Sequence, residues 1–399
     1  MLLLLNLRYG RDKAGRVPAA FIPYVDESLA RRATAYTLAK GRFSLLADAV
    51  FFVILLLTVI TGLLGRLDRW LDAWGMGAYL HGLSYVFIVS AVYSVTSLPF
   101  TLYGRFVIEK RFGFNTMTPK LFIRDRLVSL LISLAIGVPL LLGLFFFMDT
   151  AGRWWWLWAF LLFSLFQIVV SLLYPLVIAP LFNKFTPLPE GALKDKISAL
   201  LDSLGFRVKG IFIMDGSRRS RHGNAYFTGF GKSKRIVLFD TLLRTLDEDE
   251  LTAVFAHELG HEKLGHVMKN MILSIVTSGA FFFILSLLLP YRPLYEAFGF
   301  AAPGYHSLLV ILAVCAGPVT FLLRPLFSTL SRRHEYQADR FAARALGGGA
   351  AVLSRALIKL HRDNLSNLHP HPLYSAVYYS HPTPAERVAA LETWGGPAP

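Results

Sequence analysis

The sequence predicts a mostly α-helical membrane protein: a polytopic bundle of about six transmembrane helices that carries a smaller α+β domain on its cytoplasmic side. Composition and patterning predict this class. The 399 residues are 54% hydrophobic and 17% charged, whereas soluble domains have about 45–50% apolar and about 25% charged residues. The apolar residues form long runs, and the polar stretches between them contain short β-rich segments. The single cysteine, Cys315, excludes an internal disulfide and a cysteine-rich metal site.

Six apolar stretches are long enough to cross a bilayer, which requires about 20 residues in a helix. They cover residues 44–64, 80–103, 127–148, 154–178, 270–290 and 306–328. Prolines interrupt several of them, which membrane helices tolerate because neighbouring groups satisfy the freed backbone.

The loops between these stretches predict the orientation of the bundle. Segments 1–43 and 104–126 together carry fourteen lysines and arginines, whereas the alternating loops 65–79, 149–153 and 291–305 carry four. Basic loops stay in the cytoplasm, so we expect both termini and the long polar segments to be cytoplasmic. This distribution also explains the net charge of +15, and with no nucleic-acid-binding motif in the chain we expect the lipid bilayer, and no nucleic acid, as a partner.

The polar stretches divide the chain into four parts. Residues 1–183 form an N-terminal membrane region with four spans, and residues 270–328 form a transmembrane hairpin. The hairpin returns the chain to the side from which it left, so residues 184–269 and 329–399 can build one domain. The first of these two stretches predicts an amphipathic helix at 193–204, strands at 209–214 and 235–239, and a weaker strand at 224–230.

A candidate metal site lies in a helix predicted to begin at Asp247, where an acidic first turn suits the helix dipole. His257 and His261 are four residues apart and share one face, so both can bind one metal ion. Glu258 lies about 100° around the helix, where it can take a proton from a metal-bound water without being a ligand. This is the His-Glu-x-x-His pattern of zinc proteases. The alternative is a charged helix end at the membrane surface. His266 lies too far around the helix to be a ligand.

Two histidines do not complete a catalytic metal site, because such sites use three protein ligands. After the last span, Glu335 and Asp339 are four residues apart on a predicted helix. Glu335 can ligate the metal while Asp339 accepts a hydrogen bond from a ligand histidine. His334 is adjacent and is also a possible ligand. Spacing alone equally allows a helix surface on which Arg333 pairs with one of the two acids.

Longer motifs extend beyond these residues, and they resemble the type I CAAX prenyl protease family of integral-membrane zinc metallopeptidases. The matching stretches are 108–109, 113–115, 174–190, 222–227, 235–240, 257–266, 335–339 and 373–387. The resemblance covers nearly the whole chain from about residue 30. It implies a zincin-like α+β metalloprotease domain and a zinc-dependent endopeptidase whose substrates are peptides or proteins with prenylated C-termini.

The resemblance also implies roles for individual residues. His257, His261 and Glu335 would bind one Zn²⁺ per chain, with Glu258 as the catalytic base. His381 would help to hold the oxyanion, while Asp339 and Arg387 would support the ligands. Asn224, Ala225 and Tyr226 would lie on a strand to which the substrate adds as a further strand. His369 and His371 are expected to be structural.

The chain departs from the family at its start. Members have seven spans, with one ahead of the segment equivalent to 44–64, and here that helix is absent or reduced to residues 1–5. The preference for arginine over lysine and the compact loops favour a bacterial member, located in the inner membrane. A bacterium can lack prenylated substrates, so a quality-control protease for membrane proteins is the enzymatic alternative. A transporter or a non-catalytic scaffold is the alternative from another class.

Overall fold

The structure is a computed structural model that describes residues 1–229 and 235–394. Phe230, which ends the weaker predicted strand, and residues 395–399 of the last predicted segment lie outside the described residues. In the N-terminal half the helices are α1 (Leu2–Asp12), α2 (Glu27–Ile60), α3 (Leu63–Asp72), α4 (Ala78–Tyr103), α5 (Pro119–Thr150), α6 (Trp155–Leu173) and α7 (Ala179–Phe182). Two π-helical segments, Gly104–Glu109 and Tyr174–Ile178, follow α4 and α6.

In the C-terminal half, four short strands are joined to nine helices within the described residues. The strands are β1 (Phe185–Pro187), β2 (Gly210–Met214), β3 (Ala225–Thr228) and β4 (Arg235–Phe239). The helices are α8 (Ala192–Ser203), α9 (Leu242–Thr245), α10 (Glu248–Lys263), α11 (His266–Leu288), α12 (Arg292–Ala297), α13 (Tyr305–Ala345), α14 (Gly349–Asp363), α15 (Pro372–Tyr378) and α16 (Pro384–Trp394).

Six helices in the described residues are long and apolar enough to cross a membrane: Glu27–Ile60, Ala78–Glu109, Pro119–Thr150, Gly152–Phe182, His266–Leu288 and Tyr305–Ala345. The predicted polytopic bundle is therefore confirmed. The first span does not extend to residue 64 as predicted. It ends at Ile60, because Gly62 adopts a left-handed φ of 62° and the chain restarts as α3. In the most apolar 18-residue segment of each span, only 0–22% of the residues are buried, so the spans expose most of their apolar surface.

The smaller domain contains a mixed sheet with strand order β1-β2-β4-β3. Strands β2 and β4 are parallel, while β1 and β3 pair with them in antiparallel fashion. The apolar side chains of β2 and β4 pack with α8, α10 and α14 around one core, which includes Ile197, Leu238, Phe255 and Leu353. The predicted helix at 193–204 and the three predicted strands are present, and β1 is an addition that the sequence did not reveal.

The two elements that matter most for function are α10 and α13. Asp247 caps α10, since its Oδ1 accepts from the Glu250 amide at 2.9 Å and Glu250 Oε2 accepts from the Asp247 amide at 3.1 Å. Helix α13 runs without a break from the last span into the smaller domain. Gly260 of α10 allows the two helices to approach closely, because a Cβ there would lie 3.1 Å from the Cα of Ala338.

The bundle has two distinct ends. At one end, the basic segment 104–126 contacts the smaller domain: Asp125 accepts two hydrogen bonds from Arg219, at 2.8 and 2.9 Å. At the other end, the loops that are poor in basic residues contact each other: Tyr79 and Tyr305 both donate to Asp149. The structure thus places the basic segments and the loops poor in basic residues at opposite ends of the bundle, as the charge pattern predicts.

Candidate metal centre and active site

The side chains of His257, His261 and Glu335 converge between α10 and α13. The two Nε2 atoms are 3.2 Å apart. Glu335 Oε1 lies 3.3 Å from His261 Nε2, and Glu335 Oε2 lies 3.5 Å from His257 Nε2. His257 and Glu335 are 6% and 4% exposed. The structure brings together the three residues that the sequence motifs suggested as ligands.

These residues fit a tetrahedral zinc-type ion. Metal–nitrogen and metal–oxygen bonds of about 2.0–2.1 Å place neighbouring tetrahedral ligands about 3.3–3.4 Å apart. The distance between the two nitrogens, and the distance from each nitrogen to the Glu335 oxygen given for it, are close to this value. Glu335 Oε2 is also buried and makes no well-aligned hydrogen bond within the described residues, although His381 Nδ1 lies 2.8 Å from it. A bound cation would neutralise this buried carboxylate.

Glu258 is half-buried on α10, next to His257 in sequence. Burial raises the pKa of its carboxyl group, and the neighbouring His257 and His261 act in the opposite direction. A carboxylate whose proton affinity is raised in this way suits a general base.

Behind His257, a buried ion pair fixes the orientation of the ring. Asp339 Oδ1 lies 2.9 Å from His257 Nδ1. Arg387, on α16, donates from Nε to Asp339 Oδ2 at 2.8 Å and from Nη2 to Asp339 Oδ1 at 2.5 Å. Asp339 is fully buried and Arg387 is 6% exposed. Donation from His257 Nδ1 to Asp339 leaves Nε2 free to bind a metal.

The second histidine is held by a residue whose role sequence reasoning missed. His266 Nε2 donates to Gln337 Oε1 at 2.9 Å, so the Nδ1 of a neutral His266 is an acceptor. That atom lies 3.0 Å from His261 Nδ1, which therefore carries the proton and leaves its Nε2 unprotonated towards the cluster. His266 lies outside the group of three residues that could hold a metal, and its contact sets the tautomer of His261. The position of His266 only five residues after His261 was the sequence feature that could have indicated this role.

His334 does not belong to the ligand cluster. Its ring stacks on His266 with centroids 4.1 Å apart and an angle of 10°. Glu335 and Asp339 also do not form the alternative surface pair with Arg333, because both are buried with the partners given above.

His381 reaches the site from the loop before α16. Its Nδ1 lies 2.8 Å from Glu335 Oε2, and its side chain is 63% exposed. An exposed imidazole at the edge of the ligand cluster is accessible to a bound peptide. His369 and His371, by contrast, contact the N-terminal segment: His369 Nε2 donates to Arg16 O at 2.9 Å, and the His371 amide donates to Asn6 Oδ1 at 2.9 Å.

Strand β3 lies at one edge of the described sheet. Asn224 precedes it, and its carbonyl accepts from the Phe239 amide at 3.0 Å. Because hydrogen bonds alternate along an antiparallel pair, Tyr226 directs its amide towards β4, whereas the amides of Ala225 and Phe227 point to the open edge. The Ala225 amide is occupied by Asn224 Oδ1 at 2.9 Å. Among the described residues, Phe227 therefore supplies the open donor that a substrate strand would use.

Comparison with known proteins accounts for almost the whole chain. Residues 6–184 match the family model of the CAAX prenyl protease N-terminal region with five membrane helices, and residues 187–395 match that of peptidase family M48. The chain belongs to peptidase family M48. Four helices in residues 1–184 qualify here as spans, and α1 has only 11 residues.

Similar M48 proteins are found in plants and fungi. A CAAX prenyl protease 1 homolog of Oryza sativa subsp. japonica is 39% identical over 399 residues, covering 97% of this chain and 93% of the rice protein. CAAX prenyl protease 1 of Saccharomyces cerevisiae is 35% identical, covering 96% and 90%. The crystal structure of S. mikatae Ste24p matches with a TM-score of 0.90 and 32% identity, covering 98% of this chain and 96% of that one. This M48 protein is thus a multi-pass membrane metalloendopeptidase that acts on peptide or protein substrates.

Proposed function

We propose that the chain is a zinc-dependent endopeptidase with one Zn²⁺ per chain, held by His257, His261 and Glu335. The convergence of the two histidine Nε2 atoms with the two carboxylate oxygens of Glu335, at separations of 3.2–3.5 Å, carries this proposal. When bound, the metal lowers the pKa of a bound water and polarises the scissile carbonyl. Glu258 accepts the proton of the attacking water and returns it to the leaving amine. His381 stabilises the negative charge that develops on the carbonyl oxygen.

In this proposal the substrate lies in an extended conformation along β3. Asn224, Ala225 and Tyr226 form the beginning of that edge, and the Phe227 amide bonds to the peptide backbone. Backbone pairing holds many sequences in the same register, so it positions the scissile bond without restricting the side chains. The protease domain would be built from residues 184–269 and 329–399, and the membrane region from 1–183 and 270–328.

The proposed substrates are C-terminal CAAX peptides that carry a prenyl group. The names of the plant and yeast relatives support this class, and the exposed apolar surface of the spans suits a lipid-modified substrate. The alternative is quality control of membrane proteins without a need for prenylation. A scaffold or transporter role is disfavoured, because neither requires a buried ligand cluster beside a carboxylate base.

Mass spectrometry of cleavage products tests this function. Farnesylated and unmodified test peptides, and solubilised membrane proteins, should be incubated with the wild type and with Glu258→Gln. We expect Glu258→Gln to keep its zinc and to lose turnover. Glu248→Gln, at the exposed start of the same helix, is the matched control and should stay active. Cleavage of farnesylated peptides alone supports the CAAX class, cleavage regardless of prenylation supports quality control, and no cleavage refutes the enzyme.

We further propose that the protease domain and both termini face the cytoplasm, in a bacterial inner membrane. The basic segments 1–43 and 104–126 support this orientation, because they lie at the protease end of the bundle. Single cysteines at the exposed positions Ala192 and Ala302 test it in a Cys315→Ala background. Ala302→Cys should react with a membrane-impermeant reagent in intact cells, and Ala192→Cys only after lysis. The reverse pattern would contradict the orientation.

A further inference from the structure

A second group of two histidines and one carboxylate lies at the end of the bundle opposite the protease centre. Asp68 is on α3, His81 is at the start of α4 and His306 is at the start of α13. Asp68 Oδ1 lies 2.7 Å from His306 Nε2 and 3.0 Å from His81 Nε2, and the ligand-type atoms of all three residues lie within 4.8 Å of one another. Since 29 residues of α13 separate His306 from Glu335, the two centres are about 44 Å apart along the helix.

Asp68, His81 and His306 are called the outer cluster below, and one of its nitrogen atoms makes no hydrogen bond within the described residues. His81 is 9% exposed, and its Nε2 lies 3.0 Å from Asp68 Oδ1 but is not aligned to make a hydrogen bond with it or with any other described residue. A buried polar atom without a hydrogen bond destabilises a protein. The Nε2 atoms of both histidines lie within 3.0 Å of one carboxylate oxygen, Asp68 Oδ1. A cation between them would accept both lone pairs and the negative charge of Asp68.

The surroundings hold the outer cluster in place without neutralising it. Tyr85 is fully buried and donates to the Leu64 carbonyl at 3.0 Å, which joins α4 to α3. The neighbouring Arg69 is directed away, because it donates to the Gly299 carbonyl at 3.3 Å. Asp72 Oδ1 lies 3.9 Å from His81 Nδ1, beyond hydrogen-bond distance, so a second carboxylate lies near the other nitrogen of that ring.

We propose that Asp68, His81 and His306 bind a second divalent transition-metal ion, of which Zn²⁺ is the representative. Two imidazoles and a carboxylate are a common donor set for zinc. The ion would join the N-terminal ends of α4 and α13 to α3 and would stabilise that end of the bundle. It would take no part in peptide hydrolysis, because the two centres lie on opposite sides of the membrane core, which is about 30 Å thick.

The test is metal stoichiometry of the full-length protein in detergent. A His257→Ala/His261→Ala background removes the protease centre. Samples are equilibrated with Zn²⁺, desalted and analysed by inductively coupled plasma mass spectrometry. We expect about two zinc ions per chain in the wild type and about one in the background. Adding Asp68→Asn or, separately, His306→Gln to the background should reduce the content to near zero. Zinc should raise the melting temperature of the background, and Asp68→Asn should abolish that rise.

Asp149→Asn is the matched control, because Asp149 lies at the same end and accepts from Tyr79 and Tyr305. It should keep the second zinc. Asp68→Asn in the wild-type chain should keep protease activity, which shows that the variant folds. The proposal is overturned if the background holds no zinc, or if its zinc persists when Asp68 and His306 are changed. Either result would identify the cluster as a set of ordinary hydrogen-bonded side chains.

Discussion

Replacing Arg387 with methionine should leave the orientation of His257 less firmly fixed, although the three proposed metal ligands themselves are unchanged. Arg387 also lies 3.3 Å from His257 Nδ1 and 3.6 Å from Glu335 Oε2. Arg387 makes two hydrogen bonds to Asp339, and Asp339 in turn orients His257. Methionine has a similar length and no charge, so the change leaves a fully buried carboxylate without its cation. The effect should therefore appear in both stability and metal affinity.

The expected size follows from the burial of the pair. Removing one partner of a buried ion pair destabilises a protein by about 3–5 kcal/mol. For a folded unit of about 150–250 residues, 1 kcal/mol shifts the melting temperature by about 2–4 °C. We expect Arg387→Met to lower the melting temperature by on the order of 10 °C. Loss of a group that orients a metal ligand typically weakens metal binding by about 10–100-fold.

Both effects can be measured on the detergent-solubilised protein. Intrinsic fluorescence gives the melting temperature, and competition with a chelator gives the zinc affinity. Arg340→Met is the matched control: Arg340 lies on the exposed face of α13 and stacks over Trp394 at 4.7 Å, an interaction of about 0.5–1 kcal/mol. The double variant Arg387→Met/Asp339→Asn should recover part of the lost melting temperature, because it no longer buries an unpaired carboxylate. If Arg387→Met melts and binds zinc like the Arg340→Met control, the buried pair does not support the site.

Three further predictions concern the ligands and the substrate edge. His266→Phe should weaken zinc binding by about 10–100-fold in chelator competition, because His261 loses the acceptor that sets its tautomer; unchanged affinity would refute that role. Glu335→Ala should lose most zinc by mass spectrometry and all measurable cleavage, whereas His334→Ala should keep both within a few-fold, and the opposite result would move the metal site by one residue. Phe227→Pro should reduce cleavage far more than zinc content, because it removes the open amide donor. Phe227→Leu retains the donor and should stay active. If the proline variant loses both its zinc and its fold, the edge of β3 supports the structure and does not bind substrate.

Local sequence patterns predicted the elements that carry the site. The acidic turn that begins with Asp247 and the spacing of His257 and His261 are properties of one helix, so they could be seen without a structure. The strands at 209–214 and 235–239 were visible for the same reason, because β-branched and aromatic runs mark buried strands. Strand β1 was not, because three residues that end in a proline have no periodicity. Its assignment depends on pairing with β2, which is a long-range contact.

Tertiary contacts decide the remaining questions. The sequence left Glu335 open between a ligand and a partner of Arg333, because both choices satisfy the same helical spacing. The structure places Glu335 against α10, and the close approach at Gly260 makes this contact possible. Likewise, the order of hydrogen bonds between β3 and β4 decides which amide of the edge is open. That order directs the Tyr226 amide towards β4 and the Phe227 amide towards the edge, since a shift of one residue reverses every amide.

The protease centre and the outer cluster contain the same types of side chain, but the sequence reveals only the first of them readily. Two of the three proposed ligands at the protease centre share one helix, so a fixed interval of four residues identifies them. The outer cluster takes one residue from each of three helices, and positions 68, 81 and 306 bear no regular relation to each other. Each of these residues, taken singly, is more often a polar side chain near a helix end than a ligand. Only the packing of α3, α4 and α13 around Tyr85 brings them together, so the proposed second metal ion depends on the tertiary fold in a way that the first does not.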